Sequence, residues 1–307
     1  MNENDSSAPN QTIINTLVAA GTALILLAVG TVFFISSVRS TPVQADSVSD
    51  STTSSDPLID GQAASDPVGL LAEAENLVFV LADDLDWNLF NQVPRLAALK
   101  EQGITFTNHT VTDSLCCPSR VSIMRGQYIH NHKVISNIEK TGGGWPTFRD
   151  RKEENDCLPV WLSNAGVTTA LFGKYLNDFP SEPKEAKYIP PGWDQWAVPI
   201  SRGDSYTGYN YTLNDNGTLV RYGNKTSDFL NDVITNKSTQ FIQTAQQPFF
   251  LELSTYSPHK PAPVATRNAL KQGGTLAPRN PTYNSYGVDE PKWMKDKTPL
   301  NAARLAK

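Results

Sequence analysis

Leu77-Val78-Phe79-Val80-Leu81-Ala82-Asp83-Asp84 is the stretch on which the fold turns. Its six apolar residues have no polar break, so they do not alternate as a strand with one wet face does. They read instead as a strand buried on both faces of a parallel sheet. The run ends in two adjacent carboxylates. At the C-terminal edge of such a strand, where open α/β sheets bind ligands, Asp83 and Asp84 make a hard-oxygen site for Ca²⁺ or Mg²⁺.

Outward from this strand, apolar runs and helical patterns alternate. Gln92–Gln102 has helical apolar spacing with Gly103 to stop it, and Ile104–Asn108 follows as a strand. Cys157–Ala165 reads as a helix ending at Gly166, and a second strand-like run starts at Val167 and leads into Gly173-Lys174. Ser227–Ala245 is a long amphipathic helix ahead of a further strand, Phe249-Phe250-Leu251-Glu252-Leu253-Ser254. Between them, Tyr209–Leu213 and Thr218–Tyr222 are alternating stretches joined by Asp215-Asn216-Gly217, the turn chemistry of a hairpin. Strands alternating with helices predict an α/β domain, a three-layer sandwich on a mainly parallel sheet.

Cys116-Cys117-Pro118-Ser119-Arg120 adds chemistry. Proline has a preset φ and no N–H to leave unpaired, which predicts a helix starting at Pro118 with Cys116 and Cys117 at its edge. Free N–H groups and the positive end of the helix dipole then face an anion docked beside Cys116. Arg120, one turn further on, supplies a bidentate charge-assisted contact. The layout favours a tetrahedral oxyanion.

With Met124-Arg125-Gly126, this segment resembles the sulfatase pattern Cys-x-Pro-Ser-Arg-x-x-x-x-x-Gly. The continuation Gln127–His132 is most similar to the branch containing N-acetylglucosamine-6-sulfatases and related arylsulfatases. The resemblance covers residues 75–300 and implies the alkaline-phosphatase-like fold. It implies that a formylglycine-generating enzyme reads Pro118, Ser119 and Arg120 and oxidises Cys116 to formylglycine. It further implies that Asp83, Asp84 and residue 116 hold the metal, that Lys174 grips a sulfate oxygen, and that His259, in Ser257-Pro258-His259, is the general acid. Imidazole suits that task because its ordinary pKa lies near neutrality. His132 is assigned to substrate binding, with packing as the alternative for it and for His130. The family's hydrated aldehyde attacks sulfur while metal, Arg120 and Lys174 absorb charge. Many members carry a histidine two residues after the lysine; Leu176 stands there, as in the glucosamine-6-sulfatase branch.

The family completes its metal site with an Asp-Asn pair after the histidine step. Asp215-Asn216-Gly217 precedes that step and is read as a turn, and no apolar strand ending in Asp-Asn follows His259. The expectation is therefore an incomplete sulfatase N-terminal catalytic domain over 75–307, with the C-terminal part missing. Its function is read as hydrolysis of sulfate esters of a sulfated carbohydrate or aryl substrate. A phosphonate or phosphodiester hydrolase and a truncated, non-catalytic, membrane-tethered fragment are the alternatives.

Ahead of this domain, residues 1–12 are a polar tail, 13–38 a transmembrane anchor or signal segment, and 39–74 a Ser/Thr/Asp-rich disordered linker. The catalytic part is expected to be extracytoplasmic, membrane-anchored or secreted. Sequons at Asn108, Asn210, Asn216, Asn224 and Asn236 favour export and a glycoprotein. A net charge of −5 leaves no basic footprint, which excludes a nucleic-acid reader. Cys117 and Cys157 are left either as a disulfide or as two buried thiols.

Overall fold

The computed structural model describes residues 23–29, 32–37, 76–200 and 204–269, with isolated positions 289, 291, 292, 298 and 301. The chain divides into two compact units, Met1–Ala265 and Thr266–Lys307. The second is described at a single 3₁₀ turn, Thr266–Asn268, and at the isolated positions.

The first unit begins with β1 (Ala23–Val29), β2 (Val32–Ser37) and β3 (Asn76–Asp83), followed by α1 (Trp87–Gln92), α2 (Pro94–Glu101) and β4 (Ile104–Thr105). Next come α3 (Cys116–Arg125), α4 (Ile129–His132), α5 (Gly144–Asp150), α6 (Leu158–Asn164), β5 (Thr168–Gly173) and β6 (Gln195–Pro199). The hairpin β7 (Thr212–Asp215) and β8 (Thr218–Arg221), the long helix α7 (Leu230–Thr244) and β9 (Phe249–Pro258) complete it. Among the described residues the sheet runs β4-β2-β1-β3-β9-β5-β6-β7-β8. Its centre, β1-β3-β9-β5-β6, is parallel, and the strands outside it pair antiparallel.

Alternate residues of the central strands build two separate cores. Ala170, Phe172, Leu251 and Leu253 pack with Leu230, Ile234, Phe241 and Ile242 of α7. The opposite face presents Phe79, Leu171 and Phe250 to Val121 and Met124 of α3 and to Trp145 and Phe148 of α5. The expected three layers are present. Packing, rather than capping, holds α7: Phe229 at its start makes no side-chain cap. The stabilisation comes from buried apolar side chains worth about 1.5–3 kcal/mol each.

Several local expectations shift. Pro118 is the third residue of α3 rather than the first, because the helix already begins at Cys116; an amide there has no intrahelical partner to lose. Pro94 starts α2 instead of lying inside one helix over 92–102, since Val93 takes the extended conformation favoured before proline. The strand predicted over 104–108 is only Ile104–Thr105. The helix predicted from Ser227 begins at Leu230, after a single 3₁₀ turn at Thr226–Asp228. The Asn-Gly turn holds as read: Asn216 and Gly217 have φ of 49° and 81°, the left-handed pair of a hairpin turn. Asp215 is taken by Lys237 at 2.6 Å, and Asn216 Oδ1 accepts from the Trp196 amide at 2.7 Å. Asn108, Asn210, Asn224 and Asn236 are exposed.

Within the apolar segment 13–38 the structure places β1 and β2, with β1 in parallel register on Asn76–Leu81. Among the described residues no helix is long and apolar enough to cross a membrane. The rest of that segment, the tail 1–12 and the linker 39–74 lie outside the described residues.

Candidate active site

Three adjacent parallel strands, β3, β9 and β5, deliver Asp83, the β9 tail and Lys174 to one edge of the sheet, the C-terminal edge where α/β folds bind ligands. Lys174 Nζ lies 2.6 Å from Asp83 Oδ2, and Arg120 Nη2 lies 3.4 Å from Oδ1. Arg120 Nη1 donates to the Lys174 carbonyl at 2.9 Å and to Ser254 Oγ at 2.5 Å. All four residues are buried. Burial by itself would raise the Asp83 pKa, but the Arg120 and Lys174 charges outweigh it and hold the carboxyl below its ordinary value.

Gly173 explains the Gly-Lys step. Its φ is 114°, and an added Cβ would overlap the Ser254 carbonyl oxygen. Only glycine lets β5 approach β9 so closely. The next amide, Lys174 N–H, donates to that same carbonyl at 2.8 Å.

A second backbone feature places the histidine. The β3–β9 ladder steps from Ala82↔Thr255 to Asp83↔Pro258, so two extra residues bulge from β9 and re-aim its end. Asp84 turns left-handed, φ 59°, a conformation Asp tolerates better than most residues. His259 Nε2 then lies 3.6 Å from Asp84 Oδ2. Its Nδ1 lies 2.7 Å from the Lys260 carbonyl, which fixes that nitrogen as the donor and leaves Nε2 free to exchange a proton.

Ligand atoms of Asp83, Cys116 and His259 all fall within 4.8 Å of one another. Asp83 is the one carboxylate of this group, and with an oxygen at position 116 after oxidation it suits a hard divalent cation, while Asp84 lies against His259 and outside the group. The unmodified thiol is the soft member of the set. The residues fit such an ion in kind, with further oxygens needed to fill its shell.

Cys116 is half-buried at the first position of α3, where Leu115 offers no side-chain cap. The cap comes from afar: the Cys117 amide donates to Asn137 Oδ1 at 2.7 Å. Cys117 and Cys157 are buried free thiols, each pushed up to about 12 by burial, and Cys157 Sγ donates to the Glu154 carbonyl at 3.4 Å. Of the two alternatives for this pair, unpaired thiols is the one observed.

His132 is fully buried on the flank of α3, with Nε2 2.9 Å from Ser122 Oγ and Nδ1 accepting from the Val134 amide at 3.1 Å. Both ring nitrogens are used internally, the arrangement of the packing alternative. Burial pulls its pKa down to about 4. His130 is exposed and stacks on Tyr128.

Four residues of the site carried no signal in the sequence. Ser254 receives Arg120, and Asn137 caps α3. Glu252, buried in β9, lines a small cavity with Arg120, Met124 and Lys174, and burial pushes its carboxyl up to about 7. Tyr206 sets its ring 4.7 Å from that of His259 and 5.0 Å from that of Tyr256, with Lys174 Nζ 5.1 Å from its centroid. A tyrosine or asparagine in a loop, or a polar residue within a buried strand, has no spacing to distinguish it.

A mainly parallel sheet whose C-terminal edge holds an Arg/Lys-bound aspartate near a cysteine at a helix start defines the chain as an α/β protein with its candidate site at the strand ends. The Sulfatase family model matches residues 75–287, and the chain belongs to the sulfatase family. It is 35% identical over 239 residues to N-acetylglucosamine-6-sulfatase of Capra hircus, covering 75% of this chain and 42% of that protein. It is 32% identical over 228 residues to the extracellular sulfatase SULF-1 homolog of Drosophila melanogaster, covering 71% and 20%. The chain thus spans less than half the length of these relatives. A solved structure of a protein in complex with its substrate D-glucosamine-2-N,6-O-disulfate shares the fold, with a TM-score of 0.53 and 21% identity over 70% of this chain and 42% of that one.

Proposed function

We propose that this site hydrolyses sulfate esters of amino sugars, such as 6-sulfated N-acetylglucosamine in a glycan. The observation that carries the reading is the convergence of Cys116, Asp83, Arg120, Lys174 and His259 at one sheet edge. The names of the relatives support the sugar and the ester position. We further propose that a formylglycine-generating enzyme converts Cys116, that the cation is Ca²⁺ or Mg²⁺, and that the chain works outside the cytoplasm.

The chain's own residues define most of the chemistry. Arg120, with Nη1 fixed by Ser254 and the Lys174 carbonyl, turns its other nitrogen toward the anion site. Lys174 and Arg120 share one carboxylate, so an entering sulfate competes with Asp83 for both and gains charge-assisted bonds from two elements at once. His259, with Nδ1 tied to the backbone, presents Nε2 to the departing alcohol and gives it a proton when the ring is charged. A bound cation, held by Asp83, Asp84 and position 116, would supply Lewis-acid polarisation of a sulfate oxygen. Oxidised residue 116 would supply a hydrated-aldehyde nucleophile that a thiol cannot replace.

The test is sulfate release from N-acetylglucosamine-6-sulfate and nitrophenyl sulfate, with a nitrophenyl phosphodiester in parallel. The protein is co-produced with a formylglycine-generating enzyme, and conversion is checked by the mass of the peptide bearing residue 116. Sulfate release that disappears in Cys116→Ala is expected. Converted, calcium-supplied protein that cleaves the phosphodiester and neither sulfate ester would overturn the assignment.

A further inference from the structure

Tyr206 belongs to none of the roles above, yet it occupies the position between the acid and the cation of the site. Its ring meets His259 on one side at 4.7 Å and Tyr256 edge-on at 5.0 Å. The Lys174 ammonium lies 5.1 Å from the centroid of Tyr206 and 6.0 Å from that of Tyr256. Both distances fall within the range at which an aromatic face attracts a cation.

The turn that carries Tyr206, Asp204–Thr207, is clamped at several points. Ser205 is buried and hydrogen-bonded to Tyr256. Gly208 has φ 76°, and an added Cβ would lie 2.8 Å from the Phe229 ring. The Gly208 carbonyl accepts from the Leu230 amide at 2.9 Å, which fastens the turn to the start of α7. The ring itself packs on the α7-side core. A partly buried tyrosine on so fixed a turn has little freedom to swing away from the site.

We propose that Tyr206 is a positioning residue of the anion site, its ring holding the His259 imidazole and the Lys174 ammonium in place. This deepens the sulfate-ester reading and rests on it for the identity of the anion. The ring blocks the direction in which the His259 side chain would otherwise rotate. It also gives Lys174 a second, uncharged partner, so that the ammonium stays in place when an anion draws it from Asp83.

The experiment uses the full chain with Tyr206→Phe and Tyr206→Leu. Leucine removes the ring and its ring current; phenylalanine keeps both and loses only the hydroxyl. The first readout is the shift of the His259 ring protons by NMR, assigned through His259→Gln. The second is the affinity for inorganic sulfate by calorimetry. The expected result is a displaced His259 signal and about fivefold weaker sulfate binding in Tyr206→Leu, with Tyr206→Phe within twofold of wild type on both counts. A leucine variant that leaves both readouts at wild-type values overturns the proposal, as does a phenylalanine variant as impaired as leucine. If wild-type protein fails to bind sulfate, the sulfate reading falls, and the His259 shifts alone decide the positioning role.

Discussion

Replacing Gly173 by alanine tests whether the close approach of β5 to β9 builds the site. At φ 114° an L-residue costs about 1–3 kcal/mol. The new Cβ would overlap the Ser254 carbonyl oxygen and lie 2.8 Å from its carbon and 3.3 Å from Ile234 Cδ1. Strand β9 is bonded on both sides, to β3 and β5, so relief requires moving the sheet itself. That adds about 1–3 kcal/mol, the usual range for overpacking. The sum, about 4 kcal/mol, is a large share of the 5–15 kcal/mol typical of a folded domain. With a urea slope of about 2–3 kcal/mol/M, the unfolding midpoint drops by about 1.5–2 M. Gly126→Ala is the control: φ there is 59°, but nothing lies within 4 Å, so only the conformational cost of about 1 kcal/mol remains. A Gly173→Ala midpoint no lower than that of Gly126→Ala would refute the reasoning.

Asp83→Asn leaves two buried cations without their carboxylate and is expected to cost about 3–5 kcal/mol in urea unfolding near neutral pH. Because the folded Asp83 pKa is lowered, its contribution is present above the unfolded pKa and is lost as pH falls through the folded one; the variant should lack that acid loss. Glu252 has the opposite sign: an unfolded glutamate releases its proton near 4.5, the folded one only at about 7. The contribution of Glu252 to stability therefore falls across that interval and levels off above it. Glu252→Gln should be more stable than wild type by about 3 kcal/mol at pH 8 and equal to it near pH 4. His132, pulled down from 6.5 to about 4, stabilises above 6.5 and loses its contribution as pH falls toward 4. Chemical denaturation of His132→Gln should lack that slope.

The parallel strand ending at Asp83 was legible because a continuous apolar run has few other readings, and the Asn-Gly hairpin because its left-handed φ values demand those residues. Asp83, Arg120 and Lys174 were expected in one site, and the structure brings them to within hydrogen-bond distance. What the sequence could not convey was how the strand ends are bent. The β9 bulge, which sends His259 past Asp84, depends on Tyr256 and Ser257, which the ladder skips and which lie beyond the strand read as ending at Ser254. The surroundings of His132 were open for a related reason. Its motif neighbours the nucleophile helix in sequence, but the turn at Gly126, φ 59°, folds α4 back onto the flank of α3. Tyr206 and Asn137 reach the site from loops, and loop residues gain a role only from tertiary closure.

The long-range hydrogen bond from Asn137 to the Cys117 amide bears on how the molecule can be dissected. The start of the helix that carries residue 116 is capped by a partner twenty positions downstream, so the cap forms only when that stretch has closed into a ring. A short synthetic peptide spanning the cysteine motif would carry the recognition letters yet lack the posture. Reactivity measured on such a peptide would describe an uncapped helix end, and inhibitors or reagents selected against it would meet a differently presented group in the intact molecule.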